Sequence, residues 1–578
     1  MVHLIKYVKP YRWAAIVSVI FVFLQSLANL YLPTLMSDIV DTGIVKGDLS
    51  YILNMGLYML AVTLIAGVFT VISNYLASKV ATGFGRDVRS TMFAHVETFS
   101  LKEFDQIGTS SLITRTTNDI AQIEQVFMMI LKMMVMAPLM CIGGIIMAIG
   151  KDAELALVLV VSVPVLIAVI ALLGRTAIPI FKQIQKRLDR LNLVLREQLT
   201  GVRVLRAFNR EDDEAERFDR ANRDVTDISI RINKIMAAAM PLMMLIMNLA
   251  TVAIVWFGGL RISSGAMQVG DLMAFIQYAM QIMFSVLMGA MMFIMIPRAE
   301  VSAQRVVEVL NTKSDIHEEE KKAEVQVQSN AGLQVSFAHA TYHYPGAEDA
   351  AIDDVTFTAE PGQTTAIIGG TGSGKSTLLN LILRFFDVDS GSVAIGGIDV
   401  RDWTVSDLRD KLGYVPQKVQ LFNGTVAENI RYGQPQASDK EVIEAARIAQ
   451  ANDFIEQMSG GYEAQIAQGG RNISGGQKQR LSIARALVRR AAVYLFDDSF
   501  SALDYRTDAA LRAELAKVTQ VATLLIVAQR VSTVLHADKI VVLDEGRIAG
   551  IGTHEQLMQH CSVYQEIVAS QLDKEELA

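Results

Sequence analysis

Up to about residue 300 the chain alternates long uncharged apolar runs with charged stretches of helical period. Beyond that it changes to short apolar runs punctuated by glycine. Six uncharged stretches are long enough to cross about 30 Å of hydrocarbon as helices: Trp13–Ser37, Tyr51–Ser78, Met133–Gly150, Leu155–Gly174, Ile235–Leu260 and Leu272–Pro297. The first is too long for a signal-peptide core and lacks a small-residue cleavage site, so it reads as a retained span. Before it, Leu4-Ile5-Lys6-Tyr7-Val8-Lys9, ended by Pro10, has the pattern of a short interfacial helix.

The charges between spans predict orientation. Segments 79–132 and 175–234 hold 20 Lys and Arg together, against three (Lys46, Lys151, Arg261) in the alternate loops. The positive-inside rule then places both termini and both long segments in the cytosol, with the chain a multi-pass protein of the plasma membrane. The helical pattern of those segments predicts that spans two to five continue far into the cytosol, with polar tips near Thr109–Asn118 and Gly201–Glu211. After Pro297 the helical pattern runs out in KSDIHEEEKKAE, and the chain turns strand-like at Leu333-Gln334-Val335-Ser336-Phe337. The predicted organisation is a membrane domain over 1–310, a linker over 311–332, in which Glu318–Glu320 is solvated, and a second domain over 333–578.

Composition sharpens this division. The 578 residues are 51% hydrophobic and 20% charged, with mean hydropathy +0.32, which excludes a disordered chain. Residues 1–310 carry 28 Lys and Arg against 24 Asp and Glu; the remainder carries 25 against 36. A mildly basic apolar half joined to an acidic soluble half argues against a nucleic-acid partner. Two cysteines, Cys141 and Cys561, support neither a disulfide framework nor a thiolate metal site. His339 and His343 share no Cys or carboxylate cluster at metal spacing and read as solvated. Spans three, five and six are rich in methionine, which suits either interhelical packing or a surface that accepts many apolar shapes. No ionisable side chain lies mid-span, which argues against a proton relay.

The chemistry lies in the second domain. Strand-like Thr364–Ile368 leads into Gly369-Gly370-Thr371-Gly372-Ser373-Gly374-Lys375-Ser376-Thr377 and then a helical run. This is the phosphate-binding loop in the strand–loop–helix setting that gives it meaning: glycines let backbone N–H groups converge on phosphate, Lys375 reaches the β/γ-phosphates, and Ser376 is placed for Mg²⁺. A second apolar strand, Ala492–Phe496, ends in Asp497-Asp498, where a carboxylate holds Mg²⁺ beside such a loop. Between them, Ser474-Gly475-Gly476-Gln477 opens another helix with N–H groups and a hydroxyl suited to phosphate. One nucleotide needs one cradle, so two phosphate loops in one domain imply head-to-tail pairing of two domains.

On these motifs the chain resembles, over nearly its whole length, a half-transporter of the ATP-binding-cassette exporter family. The resemblance implies a six-span α-helical membrane domain followed by an α/β P-loop nucleotide-binding domain, with ATP and Mg²⁺ as cofactors. It implies that Tyr344, in Tyr342-His343-Tyr344-Pro345, stacks on adenine; that Gln417 touches Mg²⁺ and the membrane helices; that Ser474–Gln477 is the signature motif; and that Ser501-Ala502-Leu503-Asp504 is the D-loop. Gly201–Phe208 is very like a coupling helix.

Three positions depart from that pattern. The glutamate that polarises the attacking water is here Asp498, one methylene shorter and about 1.5 Å short of reach; a displacement of about 1 Å costs on the order of 10² in rate. The switch histidine before Arg530 is Gln529, which donates a hydrogen bond but carries no charge. The acidic residue usual before the signature is Gln468. Together these resemble the degenerate-site subunit of bacterial heterodimeric multidrug exporters. The expectation is therefore a subunit that retains ATP at its own weak site and lends its signature motif to a partner half-transporter, the pair exporting lipophilic or amphipathic small molecules from the bilayer. An ATP-gated channel or sensor subunit, and a lipid or peptide exporter, are the alternatives. Uncharged spans disfavour a channel, and the chain starts about a dozen residues before span one, without the extra N-terminal domain common in peptide exporters.

Overall fold

The computed structural model describes residues 2–316, 332–518 and 520–571, so most of the expected linker, Glu318–Glu320 included, lies outside the described residues. The chain divides into two compact units. One comprises Met1–Glu97 and Thr109–Thr312, the other Thr98–Gly108 and Lys313–Ala578.

The first unit is helical. Its long helices are α1 (Arg12–Asp38), α2 (Leu49–Val96), α5 (Ile120–Lys151), α6 (Leu157–Thr200), α8 (Glu211–Ser263) and α9 (Val269–Asn311); among the described residues six helices are long and apolar enough to span a membrane. Helix α1 packs along α2, α5 along α9, and α6 along α8. The core of the α1/α5/α9 group holds Leu30, Met140, Phe275, Tyr278 and Ile282. Buried Tyr278 needs a polar partner for its hydroxyl. It finds two on α1: Thr34 Oγ1 at 2.6 Å and the Leu30 carbonyl, to which it donates at 3.0 Å. At one end of the same helices Lys151 pairs with Asp271 at 2.7 Å, and Ser37 donates to Asp271 at 2.9 Å. A cavity of about 950 Å³ lies between α6 and α8, lined by Leu157, Val161, Val165, Leu249 and Phe257. None of its lining residues is a methionine.

The first polar tip differs from expectation. A new helix, α3 (Leu101–Ile107), forms before Thr109, because Ser100 and Glu103 make a capping box and Gly108, at φ +80°, terminates it. The Thr109–Asn118 stretch instead runs through a short helix, α4 (Thr109–Thr114), and a π-helical turn toward α5. Helix α3 belongs to the second unit, where Lys102 pairs with Asp315. The second tip forms a short helix, α7 (Val202–Ala207), inside the expected stretch.

The second unit is a mixed α/β domain. An antiparallel sheet in the order β2-β1-β4-β5 uses Val335–Tyr342 (β1), Ile352–Ala359 (β2), Ser390–Ile395 (β4) and Ile398–Asp399 (β5). A six-stranded sheet in the order β12-β11-β3-β10-β9-β6 uses Thr364–Gly369 (β3), Leu412–Val415 (β6), Val493–Asp497 (β9), Thr523–Val527 (β10), Lys539–Asp544 (β11) and Arg547–Gly552 (β12). Gly424–Thr425 (β7) and Gln465–Ile466 (β8) form a small ribbon. Strands β9 and β10 are buried at every position, as continuous apolar runs in a parallel sheet covered on both faces should be.

Candidate functional site

Strand β10 pairs in parallel with both β3 and β9, so the carboxyl ends of all three lie at one edge. That edge of a parallel sheet is where ligands collect. The P-loop follows β3, Asp497 ends β9, and Gln529 lies two residues past β10. The Asp498 N–H donates to the Val527 carbonyl at 2.9 Å, and the Ala528 N–H to Ile367 at 3.0 Å, stitching the three ends together.

Helix α10 (Lys375–Ile382) begins directly at the loop. Gly374 has φ +94°, and a Cβ there would lie 2.5 Å from the Ala351 carbonyl, so no other residue fits. Lys375 is buried, its ammonium donating to the carbonyls of Gly369 (3.0 Å) and Gly370 (2.5 Å) and to Ser373 Oγ (3.3 Å). Burial pushes its pKa down, an effect opposed by Asp497 and Asp498. Ser376 Oγ donates to Asp497 Oδ1 at 3.0 Å. Burial raises the pKa of Asp497, with the Ser376 bond opposing. An oxygen pair of this kind is the hard-donor chemistry that Mg²⁺ takes, beside phosphates and waters, and a desolvated carboxylate edge is relieved by a cation.

Asp498 stands at φ +45°, a left-handed conformation that aspartate tolerates better than most side chains. Burial raises its pKa, while hydrogen bonds from Gln417 and Ser501 and the charges of Arg530 and Lys375 pull it down. Gln417 and Asp498 are therefore brought together, while Arg530 acts on Asp498 through its charge alone. Gln529 is exposed.

Tyr344 projects from the turn after β1, its hydroxyl 3.0 Å from Thr377 Oγ1 in the first turn of α10. Its ring lies edge-on to Tyr342 (5.2 Å) and Phe386 (5.7 Å). His343, read as solvated from sequence, is exposed, and it meets Asp389 through both its backbone N–H (2.7 Å) and Nδ1 (2.9 Å), pinning the turn that presents Tyr344. No local pattern links residues 46 apart, so only the fold reveals that pair. His339 similarly meets Asp354 at 2.7 Å.

Ser474 caps the helix Gly475–Leu487 reciprocally with Gln477: the Gln477 N–H donates to Ser474 Oγ at 3.3 Å, and the Ser474 N–H to Gln477 Oε1 at 2.9 Å. A Cβ on Gly476 would approach the Ala502 carbonyl to 3.1 Å. Gln479, which sequence reasoning missed, accepts from the Ala502 N–H at 3.1 Å and reaches the Asp498 carbonyl at 3.5 Å, bridging this helix to the strand β9 end. Gln468 opens a 3₁₀ turn ahead of it.

A six-span helical unit fused to a P-loop domain with a second glycine-rich phosphate loop defines an ATP-driven membrane transporter. Comparison with known proteins agrees. Residues 15–286 match the model of the ABC transporter transmembrane region, and residues 352–501 that of the ABC transporter. The chain is 44% identical to an uncharacterised ABC transporter ATP-binding protein of Mycobacterium tuberculosis over 98% of its own length and 97% of the relative's. It is 30% identical to the ATP-dependent lipid A-core flippase of Yersinia pestis over 97% and 96%. It superposes on a bacterial Atm1-family ABC exporter with ATP bound at TM-score 0.80 and 25% identity, covering 97% of this chain and 99% of that one. The chain belongs to the ABC transporter family and is a half-transporter of the exporter type.

Proposed function

We propose that this chain is one half of a heterodimeric exporter of lipophilic or amphipathic compounds, retaining ATP at its own weakly hydrolytic site and completing the partner's site with Ser474–Gln477. The observation that carries this reading is that Asp498 and Gln529 follow the carboxyl ends of the neighbouring parallel strands β9 and β10, the edge where a terminal phosphate would sit. Tyr344 would stack on adenine, Gly369–Thr377 cradle the phosphates and Lys375 turn from its loop carbonyls to them. Ser376, Asp497 and Gln417 would hold Mg²⁺, which supplies charge neutralisation between the β- and γ-phosphates. Asp498 is short of the water and already engaged by Gln417 and Ser501; Gln529 donates a hydrogen bond without charge. Both groups steady a ground state more than a transition state, so they favour retention over turnover.

Assembly with a second half is supported by surfaces that a lone chain leaves open. Helix α7 has no buried residue, and the adjoining Phe208 is 74% exposed, an apolar tip suited to docking on another subunit. The charge bias of the loops supports a cytosolic nucleotide unit and termini in a plasma-membrane protein. The decisive measurement is ATPase of the purified chain alone and with its partner. Turnover is expected from the pair; substantial turnover by this chain alone, abolished by Lys375→Ala, would overturn the division of labour.

A lipid substrate is the second reading, favoured by the relative named a lipid A-core flippase. Transport assays with a fluorescent phospholipid and a cationic dye in the same proteoliposomes separate the two.

A further inference from the structure

Past β10 the chain runs through Ala528, Gln529 and Arg530 before the helix Val531–Val534 begins. One distant side chain takes the backbone on both sides of Arg530. Gln571 Nε2 donates to the Gln529 carbonyl at 2.8 Å, and Gln571 Oε1 accepts from the Val531 N–H at 2.8 Å. A carboxamide is suited to this, since it presents a donor and an acceptor side by side. Gln571 ends the helix Ser562–Gln571, which is anchored by Tyr564 and Val568 in the core. The Tyr564 hydroxyl lies 2.8 Å from His554 Nδ1, which ties that helix to the one before it. The clamp is thus fixed at its far end, while the loop it grips carries Gln529 and the Arg530 charge that acts on Asp498.

We propose that Gln571 is a positioning residue for the terminal-phosphate edge of the site. Its amide holds Gln529 and Arg530 in register with Asp498, so the helix Ser562–Gln571 sets how firmly a nucleoside triphosphate is kept relative to a diphosphate. This rests on the reading that Gln529 faces the terminal phosphate. A helix-anchored amide that merely stabilised the domain would affect ATP and ADP alike; one that positions Gln529 affects ATP alone.

The test is equilibrium binding of ATP and of ADP to the purified full-length chain in lipid nanodiscs, for the wild type, Gln571→Met, Gln571→Ala, Gln571→Glu and Gln529→Ala. Methionine keeps the length and helix preference of glutamine while removing both hydrogen bonds, so it separates the clamp from folding. Loss of two such bonds should weaken ATP about tenfold and ADP less than about twofold in the Met and Ala variants. Gln571→Glu still accepts from Val531 but, when ionised, sets a carboxylate oxygen against the Gln529 carbonyl, and should weaken ATP at least as much as the Met variant. Parallel weakening of ATP and ADP, or wild-type behaviour of Gln571→Met, overturns the proposal. If Gln529→Ala shifts the ATP/ADP ratio while Gln571→Met does not, the clamp alone fails. If neither shifts it, the placement of Gln529 at the terminal phosphate fails as well.

Discussion

The two ends of the nucleotide site rise from the same three strands and differ in how fully the chain closes them. At the P-loop end, Lys375 is buried with three partners, Ser376 is bonded to Asp497, and Tyr344 is tethered to Thr377. At the far edge stand a shortened carboxylate, Asp498, and an exposed amide, Gln529, whose loop is held from outside by Gln571. Gripping a nucleotide and cleaving it draw on separate groups, so a chain can keep the first while losing the second.

The comparison is most exposed at its strong end. Lys375→Ala removes charge-assisted contacts worth about 1.5–3 kcal/mol each, so ATP affinity should drop about a hundredfold by titration calorimetry. Retention of near-wild-type binding would mean that the cradle works without its cation. At the weak end, Asp498→Glu with Gln529→His restores reach and charge and should raise hydrolysis at this chain's own site about thirtyfold, read in a pair whose partner site has been disabled, a size in keeping with the cost of a displacement of about 1 Å. A flat response would shift attention from this edge to Gln468 and the turn before the signature.

Much of this contrast is legible in the sequence because it depends on local order. The P-loop, the Asp497-Asp498 strand end and the Ser474 cap are each a strand or helix terminus with its ligand-facing residues adjacent in the chain, and six apolar runs declare the spans by length alone. What stays hidden is what joins distant segments. His343 with Asp389, Gln479 with Ala502, and Gln571 with Gln529 each rest on hydrogen bonds between residues tens of positions apart. The first cytosolic tip departs from expectation for a different reason. Its polar stretch, Thr109–Asn118, outweighs in the pattern the capping box at Ser100 and Glu103, which is the feature that starts the new helix.

Adenine recognition offers an intermediate effect. Tyr344→Ala removes the stacking face and should weaken ATP and ADP equally, about tenfold, because base stacking on an aromatic is worth about 1–3 kcal/mol. Tyr344→Phe keeps the face and loses the Thr377 bond, so it should lie close to the wild type. If Phe is as weak as Ala, the tether rather than the ring is what holds the base.

The smallest expected effect concerns stability without nucleotide. Asp497 is buried, and burial raises its pKa despite the Ser376 bond and the Lys375 charge. A folded-state pKa above the unfolded value favours the protonated form in the fold. The wild type therefore gains stability as pH falls through the carboxylate range, about 4, and loses it as pH rises. An amide in place of this carboxylate would be neutral at every pH and still accept from Ser376. Asp497→Asn should thus stabilise the nucleotide-free chain by about 1 kcal/mol at pH ~7.5, read as a higher unfolding midpoint, with the gain vanishing near pH ~4. Adding Mg·ATP should reverse the order, because the wild type alone presents an anionic oxygen to the cation. A destabilised Asp497→Asn at neutral pH would mean that Lys375 outweighs burial at this carboxylate, and that the grip is held together by ion pairing before any nucleotide arrives.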